Sequence, residues 1–147
     1  MSGTPETPGS ITREIATGIA RLYAAAFDRS PKAGGLNFWI EAYESGQSLV
    51  QIADRFVQSP EFSKRFGELD NVSFVEQLFL NILRRPAAQN GIDFWTGHLG
   101  NGVSRPKLLS QLSDSPENRV KTVTYDLRFD ADGNWLFCTT VPKMCLQ

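Results

Sequence analysis

The chain has 147 residues, of which 41% are hydrophobic and 21% charged, a balance typical of a globular protein. This length can bury enough apolar surface to fold without a metal or a framework of disulfides. The formal net charge of -1 gives no overall attraction to nucleic acid or to an anionic membrane. No segment approaches the roughly 18 uninterrupted apolar residues of a membrane span, and the first ten residues lack a signal-peptide pattern. We therefore expect neither nucleic-acid binding nor membrane insertion, and the compartment stays unknown.

The N-terminal part predicts a short lead-in followed by a helix. Residues 1–9 are rich in proline and glycine, have nothing to bury and are expected to be disordered. A helical repeat is predicted over residues 10–67, with Ser10 or Thr12 as the N-cap of its first helix. One stripe at helical spacing is expected to face the core, and it comprises Ile15, Ile19, Leu22, Tyr23 and Ala26.

Three further helices complete this repeat. The glycine pair Gly34-Gly35 predicts a sharp chain reversal, after which the second helix is expected to begin near Leu36 and to end before Gly46. Ser48 has the spacing of a capping box with Gln51 and opens the third helix. The fourth helix is predicted from its N-cap, first-turn proline and acid, which are Ser59, Pro60 and Glu61.

The same pattern returns 56 residues later without a gap, because residues 22–62 recur as residues 78–118. A second helical repeat is predicted over residues 73–121, opening with a capping box at Ser73 and sharing one domain with the first. The matched pairs are mostly caps, turns and aromatic residues: Leu22/Leu78, Arg29/Arg85, Gly35/Gly91, Phe38/Phe94, Trp39/Trp95, Gly46/Gly102, Ser48/Ser104, Ser59/Ser115, Pro60/Pro116 and Glu61/Glu117.

Residues 122–147 predict a β-hairpin and tail, because apolar residues alternate with polar ones. The first strand is expected to place Val123, Tyr125, Leu127 and Phe129 on one face, and the second runs from Trp135 to Pro142. Because a lone hairpin is marginal in water, its apolar face should pack on the helices or on another chain. Cys138 and Cys145 could form a disulfide or remain thiols. The fold class is thus mainly α, with two pseudo-repeated units and a C-terminal hairpin.

Several short motifs resemble a bacterial family catalogued as DUF4214, over roughly residues 19–118. They are Phe27-Asp28-Arg29-Ser30-Pro31, Gly35-Leu36-Asn37-Phe38-Trp39 and Ser59-Pro60-Glu61-Phe62, with Leu83-Arg84-Arg85-Pro86, Gly91-Ile92-Asp93-Phe94-Trp95 and Ser115-Pro116-Glu117 in the second copy. The resemblance implies an all-helical module, similar to phycobilisome linker domains, without a catalytic mechanism. It also implies that the module occurs in large secreted or surface-layer proteins, some of which carry calcium repeats or glycan-processing domains. Lys32, Ala87 and Ala88 depart from its acidic loops, which argues against calcium there.

Two kinds of side chain are candidate binding residues. Trp39, Trp95 and Trp135 could stack on sugar rings or on partner side chains, although for the two Phe-Trp pairs core packing is favoured. Arg29 and Arg85 are predicted to end the first helix of each repeat, where a guanidinium could satisfy helix carbonyls or pair with a carboxylate as a structural clamp. The rival hypothesis for both arginines is recognition of an anionic ligand.

Metal and catalytic sites are not predicted. His98 is the only histidine and has no second ligand at metal spacing. Asp130, Asp132 and Asn134 begin a calcium-loop pattern, but its terminal glutamate is missing, so a plain turn is favoured. We therefore expect no enzyme, no cofactor and no metal. The predicted role is a non-catalytic protein-interaction or scaffold module of a bacterial surface or export-related protein, and the alternative is a carbohydrate-binding module. A homo-oligomer formed through the hairpin is a further expectation.

Overall fold

The structure is a computed structural model that describes residues 10–140 and 143–147. The described residues form eight helices followed by a three-stranded sheet, which confirms the mainly α fold class. The helices are α1 Ser10–Phe27, α2 Ala33–Glu44, α3 Leu49–Val57, α4 Pro60–Phe66, α5 Asn71–Leu83, α6 Gln89–Gly100, α7 Arg105–Ser113 and α8 Pro116–Lys121, and the strands are β1 Tyr125–Phe129, β2 Trp135–Thr140 and β3 Lys143–Leu146. The lead-in predicted for residues 1–9 lies outside the described residues. No helix in the described part is long and apolar enough to span a membrane.

The helix starts that depend on serine caps form as predicted. Ser48 accepts a hydrogen bond from the backbone N–H of Gln51, whose side chain accepts one from the Ser48 N–H in return. Ser59 and Ser115 cap α4 and α8, and each is followed by a proline at the first helical position. These groups satisfy backbone donors that a helix start leaves unpaired, so the local sequence is sufficient to fix the three boundaries.

Two predicted starts are wrong by about one helical turn. Helix α2 begins at Ala33 rather than near Leu36, so the glycine pair lies inside its first turn and makes no reversal. The chain reverses instead at Asp28, whose φ of 52° is left-handed. Gly35 is required for a different reason, because a Cβ there would overlap the hydroxyl of Tyr23. Helix α5 begins three residues before its predicted start, since Asp70 rather than Ser73 is the N-cap.

The two repeats pack around a pseudo-twofold axis. Helix α1 contacts α5 and helix α3 contacts α7, so each of these helices packs against its own equivalent. Two contacts lie close to the axis because they join equivalent positions. The Asn81 side chain donates to the carbonyl oxygen of Ala25 at 3.1 Å, and Arg84 pairs with Asp28 at 2.8 Å. Asp28 and Arg84 are also the two described non-glycine residues with positive φ. One continuous core therefore spans both repeats and includes residues of the sheet.

The C-terminal region forms an antiparallel sheet of order β1-β2-β3 rather than a two-stranded hairpin. The first strand begins at Tyr125, so Val123 is exposed before it and is not part of its apolar face. The third strand was not predicted, because Pro142 indicated the end of the sheet. Cys138 and Cys145 lie directly opposite each other on β2 and β3 and form a disulfide.

The sheet packs mainly on the first repeat, through α1 and α2. The Asn37 side chain of α2 makes two hydrogen bonds to the backbone of Trp135. Its amide nitrogen donates to the Trp135 carbonyl oxygen at 2.9 Å, and its oxygen accepts from the Trp135 N–H at 2.8 Å. Arg13 of α1 donates to the carbonyl oxygen of Leu127. Leu127, Trp135 and Phe137 are buried by this docking. The predicted packing of the apolar sheet face on the helices is confirmed.

Candidate functional site

Arg29 and Arg85 occupy equivalent positions just beyond α1 and α5, and each forms a two-pronged ion pair. Arg29 donates from Nε and Nη2 to the carboxylate of Glu61 at 2.8 and 3.0 Å. Arg85 donates in the same way to Glu117 at 2.9 and 2.8 Å. Each pair joins the end of one helix to the first turn of a later one, α4 or α8. This is the carboxylate pairing expected of a structural clamp, and an anionic ligand would have to compete with it.

The clamp changes the pKa of its members in both repeats. The hydrogen bonds from Arg29 hold the pKa of Glu61 below its ordinary value, and those from Arg85 do the same for Glu117. The pKa of each arginine is raised by the same bonds. The ionised forms are therefore favoured on both sides of the pair, so the clamp depends on a charged carboxylate.

The clamps predict a pH-dependent contribution to stability. Because the folded pKa of Glu61 and Glu117 is lowered, their contribution is fully present above 4.5, the ordinary value, and is lost as the pH falls through the lower folded value. The variant E61Q/E117Q should therefore be less stable than the wild type at about pH 7, and the difference should shrink as the pH falls below 4.5 and through the lowered folded pKa. Urea unfolding at several pH values measures this difference. A difference that does not shrink on acidification would contradict a charge-based clamp.

Each Phe-Trp pair divides into one half-buried ring and one exposed ring. Trp39 packs against Phe56 with ring centroids 5.0 Å apart, so the predicted core packing accounts for one face of the indole. Phe38 is 54% exposed and meets Trp39 edge-on at 4.8 Å. Phe94 is 55% exposed and meets Trp95 in the same way at 5.0 Å. The exposed aromatic side chains of the two repeats are thus phenylalanines.

Open grooves lie beside the two clamps at equivalent places. The groove of the first repeat, of about 430 Å³, is lined by Tyr23, Arg29, Lys32 and Gly35. Its counterpart in the second repeat, of about 320 Å³, includes among its lining residues Arg85, Asn90, Trp95 and Glu117.

Residues 53–122 match the model of a protein family described as a domain of unknown function, DUF4214. This part of the chain is a DUF4214-like domain. It begins within α3, ends just after α8, and contains the second clamp and the second Phe-Trp pair. The chain is also 28% identical over 104 residues to "Protein ARG5,6, mitochondrial" of Candida albicans, in a match covering 63% of this chain and 12% of that protein. No solved structure matches the chain significantly.

Trp135, the remaining candidate binding residue, lines neither groove. Trp135 is 3% exposed and packs beneath Arg13 and beside Phe129, so the prediction that it serves as a binding platform is wrong. An aromatic platform needs an open face, and the docking of the sheet covers this one. Trp135 contributes to the core instead.

The structure shows no metal site among residues 10–140 and 143–147. No group of three or more histidine, cysteine, aspartate or glutamate residues there could hold a metal ion. Asp130 accepts hydrogen bonds from the backbone N–H groups of Asp132 and Asn134, which makes the acidic loop an ordinary turn between β1 and β2. His98 packs against the rings of Phe94 and Trp95.

Sequence reasoning missed the exposure of Phe38 and Phe94. The signal was present, because adjacent helical residues point about 100° apart and only one ring of each pair can face the core. It also missed Asn37, which lies one position before Phe38 and attaches the sheet. The equivalent residue of the DUF4214-like domain is Asp93, which bonds Gln89 on its own helix.

Proposed function

We propose that this protein is a non-catalytic protein-interaction or scaffold module of a bacterial surface or export-related protein. The observation that carries this proposal is the exposure of Phe38 and Phe94 at equivalent positions on α2 and α6. Exposed aromatic residues are the typical anchors of protein interfaces, where they enter pockets of the partner. Each ring is held edge-on by a half-buried tryptophan, so it needs little ordering when a partner binds.

Two further features support this proposal. Among the described residues, the arginine and glutamate side chains beside the grooves are already paired with each other, so these glutamates are not free to act as a general acid or base. The Cys138–Cys145 disulfide favours an oxidising compartment, as a surface or export-related protein would encounter. The family resemblance points in the same direction.

The double variant F38S/F94S tests the interaction surface. The full chain, immobilised as bait, should recover specific partners from a lysate of the native cell, and the double variant should lose them. Its thermal midpoint should change by only a few degrees, since exposed positions contribute little to folding. Point substitutions are preferable to deletion of the sheet, because Leu127 and Trp135 belong to the core.

The matched control is V123S, which removes an exposed apolar side chain elsewhere on the surface. It should recover the same partners as the wild type. Undiminished recovery by F38S/F94S would refute the role of the two phenylalanines. An association of copies would instead use an outer strand of the sheet, β1 or β3, since β2 is central.

Carbohydrate binding is a second candidate, favoured by the groove beside Trp95. An aromatic ring next to the planar polar groups of Asn90 and Glu117 has the composition of a sugar site. A glycan array probed with the wild type and with N90A tests sugar binding. The wild type should bind and N90A should bind less, because N90A removes a polar group of the groove while sparing the indole. Equal signals for both proteins, or none, would count against it.

A further inference from the structure

The two repeats meet at two junctions that the pseudo-twofold axis relates. The first joins α4 to α5, and the second joins α8 to α1. The symmetry breaks down at the second junction. At the first junction, Phe62 and Phe66 of α4 pack on Phe74 of α5, with ring centroids 6.4 and 5.4 Å from that of Phe74. All three rings are buried. The guanidinium of Arg105 lies 4.5 Å above the Phe74 ring and closes the cluster. This junction is filled by aromatic side chains.

The second junction has small or polar residues at the positions equivalent to the three rings. The offset of 56 residues places Gly18 opposite Phe74, Asn118 opposite Phe62 and Thr122 opposite Phe66. Where the first junction holds three rings, the second therefore has an amide, a hydroxyl and no side chain at all. A cavity of about 450 Å³ lies here between α1, α7 and α8. Its volume is within the usual range for small-molecule sites.

The sequence differences between the two repeats also place positive charge at the cavity. Arg21 and Arg119 both line it, and their equivalents in the first junction are the neutral residues Gln77 and Ser63. The Nε of Arg21 donates to the hydroxyl of Thr122 at 2.9 Å, which fixes the guanidinium in place. Among the described residues, no carboxylate forms an ion pair with Arg21, and the hydrogen bond from its Nε to Thr122 leaves its two terminal nitrogens without a partner in that part of the chain.

The charges around Arg21 are not balanced by acids in contact with it. Burial lowers the pKa of Arg21 most and the positive charge of Arg119 lowers it further, whereas the smaller effects of Asp114 and Glu14 raise it. Asp114 pairs with Arg119 at 2.7 Å, and Arg13 is turned to the sheet, where it bonds Leu127. Glu14 also lines the cavity without forming an ion pair with Arg21. A partly buried guanidinium with free donors is thus held beside a second cation, an arrangement that an anion would stabilise.

We propose that this cavity binds a small organic anion whose phosphate or carboxylate oxygens accept hydrogen bonds from Arg21 and Arg119. The apolar part of the ligand lies against Ile15, Leu22 and Leu49, which also line the cavity. This site is separate from Phe38 and Phe94, so it goes beyond the proposed interaction role and does not depend on it.

Calorimetric titration of the full chain with phenyl phosphate, benzoate and benzyl alcohol tests the site. At least one anion should bind, and benzyl alcohol should bind more weakly by about tenfold or more, because it lacks the charge. The variant R21Q, which introduces the residue of the other repeat, should weaken anion binding by about tenfold to a hundredfold. The control K64Q removes one exposed positive charge on α4, away from the cavity, and should bind like the wild type.

A second variant, G18F, supplies the ring that fills the equivalent junction. It should abolish binding while the protein stays folded, as circular dichroism would show. Binding that is unchanged in both R21Q and G18F would overturn the proposal, and so would a wild type that binds neither anion. Phenyl phosphate and benzoate distinguish a phosphate from a carboxylate ligand by which of them binds more tightly.

Discussion

Replacement of Phe74 by alanine is expected to lower the free energy of unfolding by about 3–5 kcal/mol. Phe74 is fully buried at the junction of the repeats and packs on Phe62, Phe66 and the guanidinium of Arg105. Its removal leaves a cavity, and the aromatic rings around it also lose their packing partner. Urea unfolding followed by circular dichroism measures the loss as a lower midpoint with an unchanged slope.

Phe94→Ala is the matched control, because it deletes the same side chain from a position that is 55% exposed. We expect a change within about 0.5 kcal/mol. Similar losses for the two variants would show that the aromatic junction does not hold the repeats together. A large loss for Phe74→Ala alone would establish that the two repeats fold as one domain.

The fold was predictable wherever a short stretch of sequence carries its own signal. Serine caps, first-turn prolines and apolar stripes act within one or two helical turns, so Ser48, Ser59 and Ser115 identified three helix starts. The offset of 56 residues then indicated the second copy. Left-handed residues without glycine carry no comparable signal. Asp28 and Arg84 could not be recognised as the turning points, and Gly34-Gly35 was misread in their place.

The third strand and the disulfide depend on contacts that no local pattern contains. Strand β3 has four residues and follows Pro142, so alternation alone could not distinguish it from a tail. Cys138 and Cys145 become partners only because β3 turns back along β2 in the right register. The burial of Trp135 likewise depends on Asn37, which is 98 residues away in the chain.

The candidate sites were predictable to different degrees. A carboxylate partner for Arg29 and Arg85 was expected, and the matched pair Glu61/Glu117 keeps the same spacing from each arginine in both repeats. The cavity at the second junction is instead marked by residues that are not matched between the repeats. Its residues differ between the copies, so the matched positions do not reveal it. The differences Gly18/Phe74 and Thr122/Phe66 mark it, but their meaning depends on knowing that these positions meet across a junction.

Asn37→Ala is expected to lower the free energy of unfolding by about 1–3 kcal/mol, because it leaves the buried backbone N–H and C=O of Trp135 without their partner. The loss should appear first as weaker attachment of the sheet. Hydrogen exchange at the Trp135 amide would become faster, whereas the amides of α5 would keep the protection of the helical core.

The equivalent substitution on the second repeat, Asp93→Ala, provides the control for this prediction. Asp93 accepts a hydrogen bond from Gln89 on its own helix and is exposed, so its loss should change stability by less than about 0.5 kcal/mol. If exchange at Trp135 were equally slow in the wild type and in Asn37→Ala, the buried apolar face of the sheet and the bond from Arg13 to Leu127 would be holding it on α1 and α2. Faster exchange confined to the sheet would instead show that one amide side chain decides which repeat carries it.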